Sequence, residues 1–369
     1  MSPKLSSCEE VITPLSGVVL VPFDLPNVKN AVPGIHLIKH LLAHFDAIFP
    51  VPNAKAIVTL SQSSSLIRTT ILALTATHLR CTAPGIVHHR VSEHFQQSLA
   101  LQQYQAVLYT PRDELNQDLA NALLLCTILL NIVAFVLPAS EVQHLVSGID
   151  DGNAWDLSWL AMQAGLRPLM KSISAYLQTS YTFLELLFIG GERPDWGAEA
   201  VSKGLERVPY HWRKLFDIGD FSGDLVDCDG EVTAIAQTSS EGHLQRVNDF
   251  YNAYGNHYRV SVFILAFLKD VEAISGQAFK NLQFLIKLHP DFRALLQVRD
   301  ERALYLYCYW LGLMCRFQGT WWSDERVLRD YAAIKSYLKA LQLPCRPGEE
   351  GELWEQMMQE LDDATPRGV

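Results

Sequence analysis

Charge is scarce in this chain. Of its 369 residues only 19% are Asp, Glu, Lys or Arg, below the roughly one quarter usual in soluble domains. No block of Lys or Arg occurs and the formal net charge is −10. A general nucleic-acid binder needs a basic stripe against phosphates, so that class of partner is not expected. The seven cysteines, at 8, 81, 126, 228, 308, 315 and 345, form no CxxC pair, and most sit in apolar runs such as LLLCTILL. They read as small core residues of a reducing compartment. Strand signals are also few, with little strict alternation and few Asn-Gly or Asp-Gly turns. No HExxH, GxSxG, P-loop or GxGxxG pattern supports a zinc-protease, hydrolase or nucleotide-binding reading.

The N-terminus MSPKLSSCEEVITPLSG shows no apolar core behind a basic start, as a secretory signal would. The longest apolar run, 122–138, is interrupted by Cys126, Thr127 and Asn131, and reads as too short and mixed for a membrane span. The expected setting is cytoplasmic, without stable membrane insertion. A homodimer stays open.

What the chain does have is apolar residues, 49% of the total, arranged with helical period. The pattern predicts helices over 34–48, 63–81, 86–108, 115–137, 153–178, 179–190, 196–215, 240–275, 278–288, 290–318, 323–341 and 351–362. After an N-terminal extension over 1–30, residues 31–369 read as one all-α domain with many helices around an apolar cavity. The acidic run DIGDFSGDLVDCDG at 217–230, which includes Asp220, Asp224, Asp227 and Asp229, reads as a loop. His88, His89 and His94 fall in a polar helix and are expected at the surface.

The segment RVNDFYNAYGNHYRVSVFILAFLK, 246–269, carries the most chemistry. Asn248, Asn252 and Asn256 recur every four residues, within about 80° of one another on a helix, and Arg259 falls between the first two. Asparagine is a poor helix former, so three of them suggest a gain in exchange. One gain is a ladder of oxygen ligands for a hard divalent cation, with an arginine beside it for an anion such as a diphosphate. A solvated helix face is the plainer alternative. The ladder runs into the apolar SVFILAFL, which ends at Lys269. Asp249 adds a carboxylate within the ladder, and Asp150-Asp151 stands ahead of the helix expected near Trp155. Asp151 suits metal ligation and helix capping about equally, and Asp156 suits a cap better.

Two sets of residues carry a family resemblance. RTTILALTATHLR at 68–80, LANALLLCTILLNIVAF at 119–135 and SGIDDGNAWDLSWLAMQAGLRPLM at 147–170 resemble the helical regulatory domain of fungal zinc-cluster transcription factors. The six-cysteine cluster that binds DNA in those regulators has no counterpart. Asn248, Asn252, Leu265 and Lys269 resemble more specifically the fungal non-standard humulene synthases, class I sesquiterpene cyclases of tropolone-sesquiterpenoid biosynthesis on that same scaffold.

That resemblance implies farnesyl diphosphate as substrate, two Mg²⁺ ions, an essential lysine at Lys269 and a gatekeeping Leu265 one turn earlier. Asn248, Asn252, Asp151, Asp249 and Asn256 would hold metal. Arg259, Leu265 and Tyr258 would meet the substrate. The pattern departs from ordinary terpene cyclases, because Asn252 and Asn256 stand where Ser and Glu are usual, and neutral amides bind Mg²⁺ more weakly than carboxylates. The alternative implied by the first set is a ligand-sensing or co-regulatory protein without a DNA-binding module.

Overall fold

The computed structural model describes residues 30–49, 54–111, 114–136, scattered positions from 155 to 176, 206–218, 256–274, 278–288 and 290–365. Among these 75% of residues are helical and none lies in a strand, as the periodicity predicts. Thirteen α-helices are described: α1 Gly34–Ala43, α2 Phe45–Ile48, α3 Ala54–Ser63, α4 Ser65–Thr82, α5 Val87–Leu108, α6 Gln117–Phe135, α7 Tyr210–Leu215, α8 Arg259–Leu268, α9 Ala278–Lys287, α10 Pro290–Gln297, α11 Glu301–Met314, α12 Asp324–Ala340 and α13 Glu349–Asp363. The helices expected over 153–178 and 179–190, and the acidic loop expected over 217–230 beyond Ile218, lie outside the described residues or nearly so.

The helices gather into two compact units. The first takes in residues up to Glu114 with Ile128–Val133, and the second Leu115–Thr127 with Ala134 onward. In the first, α4 is buried on nearly every side. Its polar residues survive there because Thr70, Thr75 and Thr77 donate their hydroxyls to carbonyls one turn back, at 2.9, 2.7 and 2.9 Å. Ser64 caps the helix by accepting from the Ile67 N–H at 3.3 Å. Arg80 donates to both carboxylate oxygens of Glu93 on α5, at 3.0 and 3.1 Å, and so ties the two long helices together.

In the second unit α11 is the central rod. Its residues from Ala303 to Met314 are all buried. Trp310 stacks on Phe284 with centroids 5.6 Å apart, and its indole N–H donates to the Asn281 carbonyl at 2.8 Å. α12 lies close because Gly312 leaves room. A Cβ there would stand 2.8 Å from Ala364 Cβ and 3.1 Å from the Tyr331 ring.

Two kinds of expectation about helices need correction, where a helix breaks and whether one could span a membrane. The helix expected over 34–48 is interrupted at His44, and that over 196–215 at Val208-Pro209. The stretch 290–318 breaks between α10 and α11. Arg299 takes a left-handed φ of 58°, while the Asp300 and Arg299 N–H groups close back on the carbonyls of Leu295 and Leu296. Asp300 then caps α11 by accepting from the Ala303 N–H at 2.8 Å. The second kind concerns α6: at 19 residues it is long and apolar enough to cross a membrane by length and composition. Of that stretch 78% is buried within the protein, the condition of a core helix. The cysteines divide as well: Cys126, Cys308 and Cys315 are core, whereas Cys345 is exposed and Cys81 only partly covered.

Candidate functional site

α8 is built from RVSVFILAFL, and of its ten residues only Phe267 is exposed. Its start is set by Asn256. The Asn256 Oδ1 accepts from the Tyr258 N–H at 2.9 Å, and its carbonyl accepts from the Arg259 N–H at 3.3 Å. This side-chain turn competes with helical hydrogen bonding, so 256–258 form a turn and the helix begins at Arg259. The helix also stops at Leu268 rather than near 275. The expected continuous helix over 240–275 is therefore corrected within the described residues. Asn256 is not on the helix that carries Arg259 and Leu265 and that Lys269 follows.

The Asn256 amide is already engaged. Its nitrogen donates to the carbonyls of Phe216 at 2.6 Å and Asp217 at 3.2 Å, where α7 ends in a left-handed turn at Asp217, φ 52°. A metal at this side chain would have only the second lone pair of Oδ1. Asn248, Asp249, Asn252 and Asp151, the other expected ligands, lie outside the described residues. Among the described residues no three His, Cys, Asp or Glu side chains are grouped to hold a metal ion.

Arg259 is 8% exposed, and its guanidinium stands 5.8 Å from the Phe263 ring one turn along. Tyr258 packs its ring 5.6 Å from Phe216 and 6.4 Å from Phe292. Its hydroxyl donates to Asp300 Oδ1 at 3.0 Å. Burial, and then the Asp300 charge, push the phenol well above its ordinary value, so Tyr258 stays protonated and braces the cap of α11. Leu265 is wholly buried.

Lys269 follows α8 at its other end, about 15 Å from Arg259 along the axis at 1.5 Å per residue. It is half-buried, and its ammonium donates to the Arg207 carbonyl at 3.4 Å. Arg316 donates to the Lys269 carbonyl at 2.9 Å, and the Arg207 guanidinium lies 5.8 Å from the Phe267 ring. Three basic residues thus gather at the C-terminal end of α8, where they also neutralise the helix dipole. Arg259, expected at the substrate, and Lys269, expected as the essential lysine, thus occupy opposite ends of the helix.

The chain matches no model of a known protein family and no curated protein.

The sequence reading missed the partners of these residues. Asp300 had a legible signal, an acidic residue directly before a long apolar helix. Phe216, Phe292, Arg207 and Arg316 had none, since ordinary aromatic and basic residues acquire such roles only through packing. A further cluster passed unnoticed because it spans two helices. His40 Nε2 lies 2.8 Å from His78 Nδ1, and the His44 ring centroid is 4.5 Å from that of His40.

Proposed function

We propose that the chain is a Mg²⁺-dependent sesquiterpene cyclase that ionises farnesyl diphosphate, releasing diphosphate, and closes the cation to humulene with loss of a proton. The observation that carries the reading is Arg259, a nearly buried cation at the head of an apolar helix, beside Phe263 and next to the aromatic group of Tyr258, Phe216 and Phe292. In a water-poor setting a guanidinium attracts a phosphate far more strongly than in water, and aromatic faces stabilise a carbocation without reacting with it. Asn248, Asn252, Asp249 and Asp151 are the candidate metal ligands, with Asn256 contributing its remaining lone pair. Mg²⁺ bound there would act as a Lewis acid on the diphosphate oxygens. Leu265 would set the space available to the prenyl chain.

The test is incubation with farnesyl diphosphate and Mg²⁺ followed by gas chromatography of a hydrocarbon extract. A humulene peak that vanishes in excess EDTA is the expected result. Variants at the two ends of α8 then locate the diphosphate. Lys269→Ala should lower kcat about a hundred- to a thousand-fold if its ammonium meets the leaving group, and Arg259→Met should do the same at the other end. Leu265→Met conserves volume and should change the product mixture while turnover persists.

A second reading, a non-enzymatic ligand-sensing or co-regulatory protein, is favoured by one observation. Both Asn256 and Lys269 donate their side-chain N–H groups to main-chain carbonyls, as structural residues do. It expects no hydrocarbon product under any of these conditions.

A further inference from the structure

We propose that His40, His44 and His78 form a proton-operated latch that holds α1 against α4 at neutral pH and releases it in mild acid.

The apolar grip of α1 is narrow. Leu37 joins Leu72 and Ala76 of α4, flanked by Val32, Ile38 and Leu79, and Leu41 is the other buried leucine of the helix. The histidines continue this strip, since residues 37, 40, 41 and 44 recur at the three- and four-residue spacing of one helix face. Three imidazoles therefore meet at the seam. The ring centroids of His40 and His44 are 4.5 Å apart, those of His40 and His78 5.1 Å, and those of His44 and His78 5.8 Å. At 2.8 Å, His40 Nε2 and His78 Nδ1 share a single proton, one nitrogen donating and the other accepting. That bond needs a neutral ring. Once both carry two N–H groups there is no acceptor, and the ring charges repel across the seam.

The surrounding charges add to this rather than relieve it. On α5, His89 stands near enough to disfavour a charge on His40, and His88 is bound to the Asn30 carbonyl at 2.7 Å. The remaining basic groups of α5 are Arg90 and His94. Arg80 of α4 and Glu93 of α5 neutralise each other directly. α1 itself carries His36 and Lys39, α2 carries the exposed Asp46, and the described side chains of α3 carry no charge.

Burial first, then the neighbouring rings, lower His78 from the ordinary 6.5 to about 4, and His40 is lowered by burial, His44 and His89. An α1 detached from α4 therefore binds protons more readily than the closed form across the interval between those values. The latch is fully closed above about pH 6.5 and loosens as the pH falls toward 4.

Hydrogen exchange on the full chain at pH 7 and pH 5, corrected for intrinsic exchange rates, tests the proposal. Amides of α1 should exchange at least ten-fold faster at pH 5 relative to those of α12, and His78→Gln should abolish that step. If His78→Gln does not fold, His44→Gln removes one exposed ring and should shrink the step several-fold. Unchanged α1 protection at pH 5 would overturn the proposal. So would a step that persists in these variants, a loss spread evenly over the whole chain, or protection at pH 7 that EDTA removes, which would mean that a metal holds the trio.

Discussion

Replacing either partner of the Arg80–Glu93 pair should be among the most damaging single changes in the first unit. Arg80 is 1% exposed and Glu93 5%, and the guanidinium donates two parallel hydrogen bonds at 3.0 and 3.1 Å. Gln97 adds a third donor to the same carboxylate at 3.3 Å and also reaches the Thr77 hydroxyl at 3.2 Å. Glu93→Met leaves a guanidinium buried without its counter-ion, and Arg80→Met leaves the carboxylate in the same state. Breaking a buried pair in this way costs about 3–5 kcal/mol. That is a large part of the roughly 5–15 kcal/mol that holds a domain together. Removing both charges together, as Arg80→Met with Glu93→Met, should cost far less, because two desolvation penalties vanish with the one attraction they offset. The double-mutant cycle should therefore show coupling of about 3 kcal/mol or more. Because the chain contains two compact units, a single melting curve is a poor readout. Native-state hydrogen exchange in α4 and α5 reports the relevant opening directly. The reasoning fails if each single variant loses less than about 1 kcal/mol, or if the double variant loses the sum of the two.

Asn256→Ala should cost about 1–3 kcal/mol, since it strips the Phe216 and Asp217 carbonyls of their donor and loosens the start of α8; urea unfolding followed by tryptophan fluorescence would register it. Gly351→Ala should destabilise by about 1–3 kcal/mol, because a Cβ would overlap the Arg346 carbonyl oxygen and stand 2.8 Å from that of Pro344, and unchanged hydrogen-exchange protection of α13 would contradict this. Leu265→Ala should lose about 2–5 kcal/mol, as expected for a leucine with no exposed surface, whereas Leu265→Met should stay within about 1.5 kcal/mol of the parent in the same assay. Tyr258→Phe should lower stability by about 1.5–3 kcal/mol by removing a hydrogen bond to a carboxylate, and should leave product formation intact if the hydroxyl only braces Asp300.

Apolar periodicity alone determined that this chain is helical, and it located most helices because burying one stripe of a helix is a local, repeating demand. α5, α6, α9, α12 and α13 fall where that period puts them, within a few residues. Helix ends and side-chain partners were decided elsewhere. The break at Arg299 needs a left-handed non-glycine residue, which propensity disfavours and which the surrounding packing and the Asp300 cap enforce. The asparagine spacing suggests a ladder on one helix, yet Asn256 leaves the helix because its amide finds the carbonyls at the end of α7, 39 and 40 residues earlier in the chain. Arg259 and Lys269 belong to one short apolar stretch, but one is nearly buried and the other half-buried, according to what packs on each end. The pair His40 and His44 is visible in the sequence at helical spacing. Its meeting with His78, 38 residues beyond His40, required α1 to lie against α4, and contacts between separate helices depend on tertiary packing that no local pattern encodes.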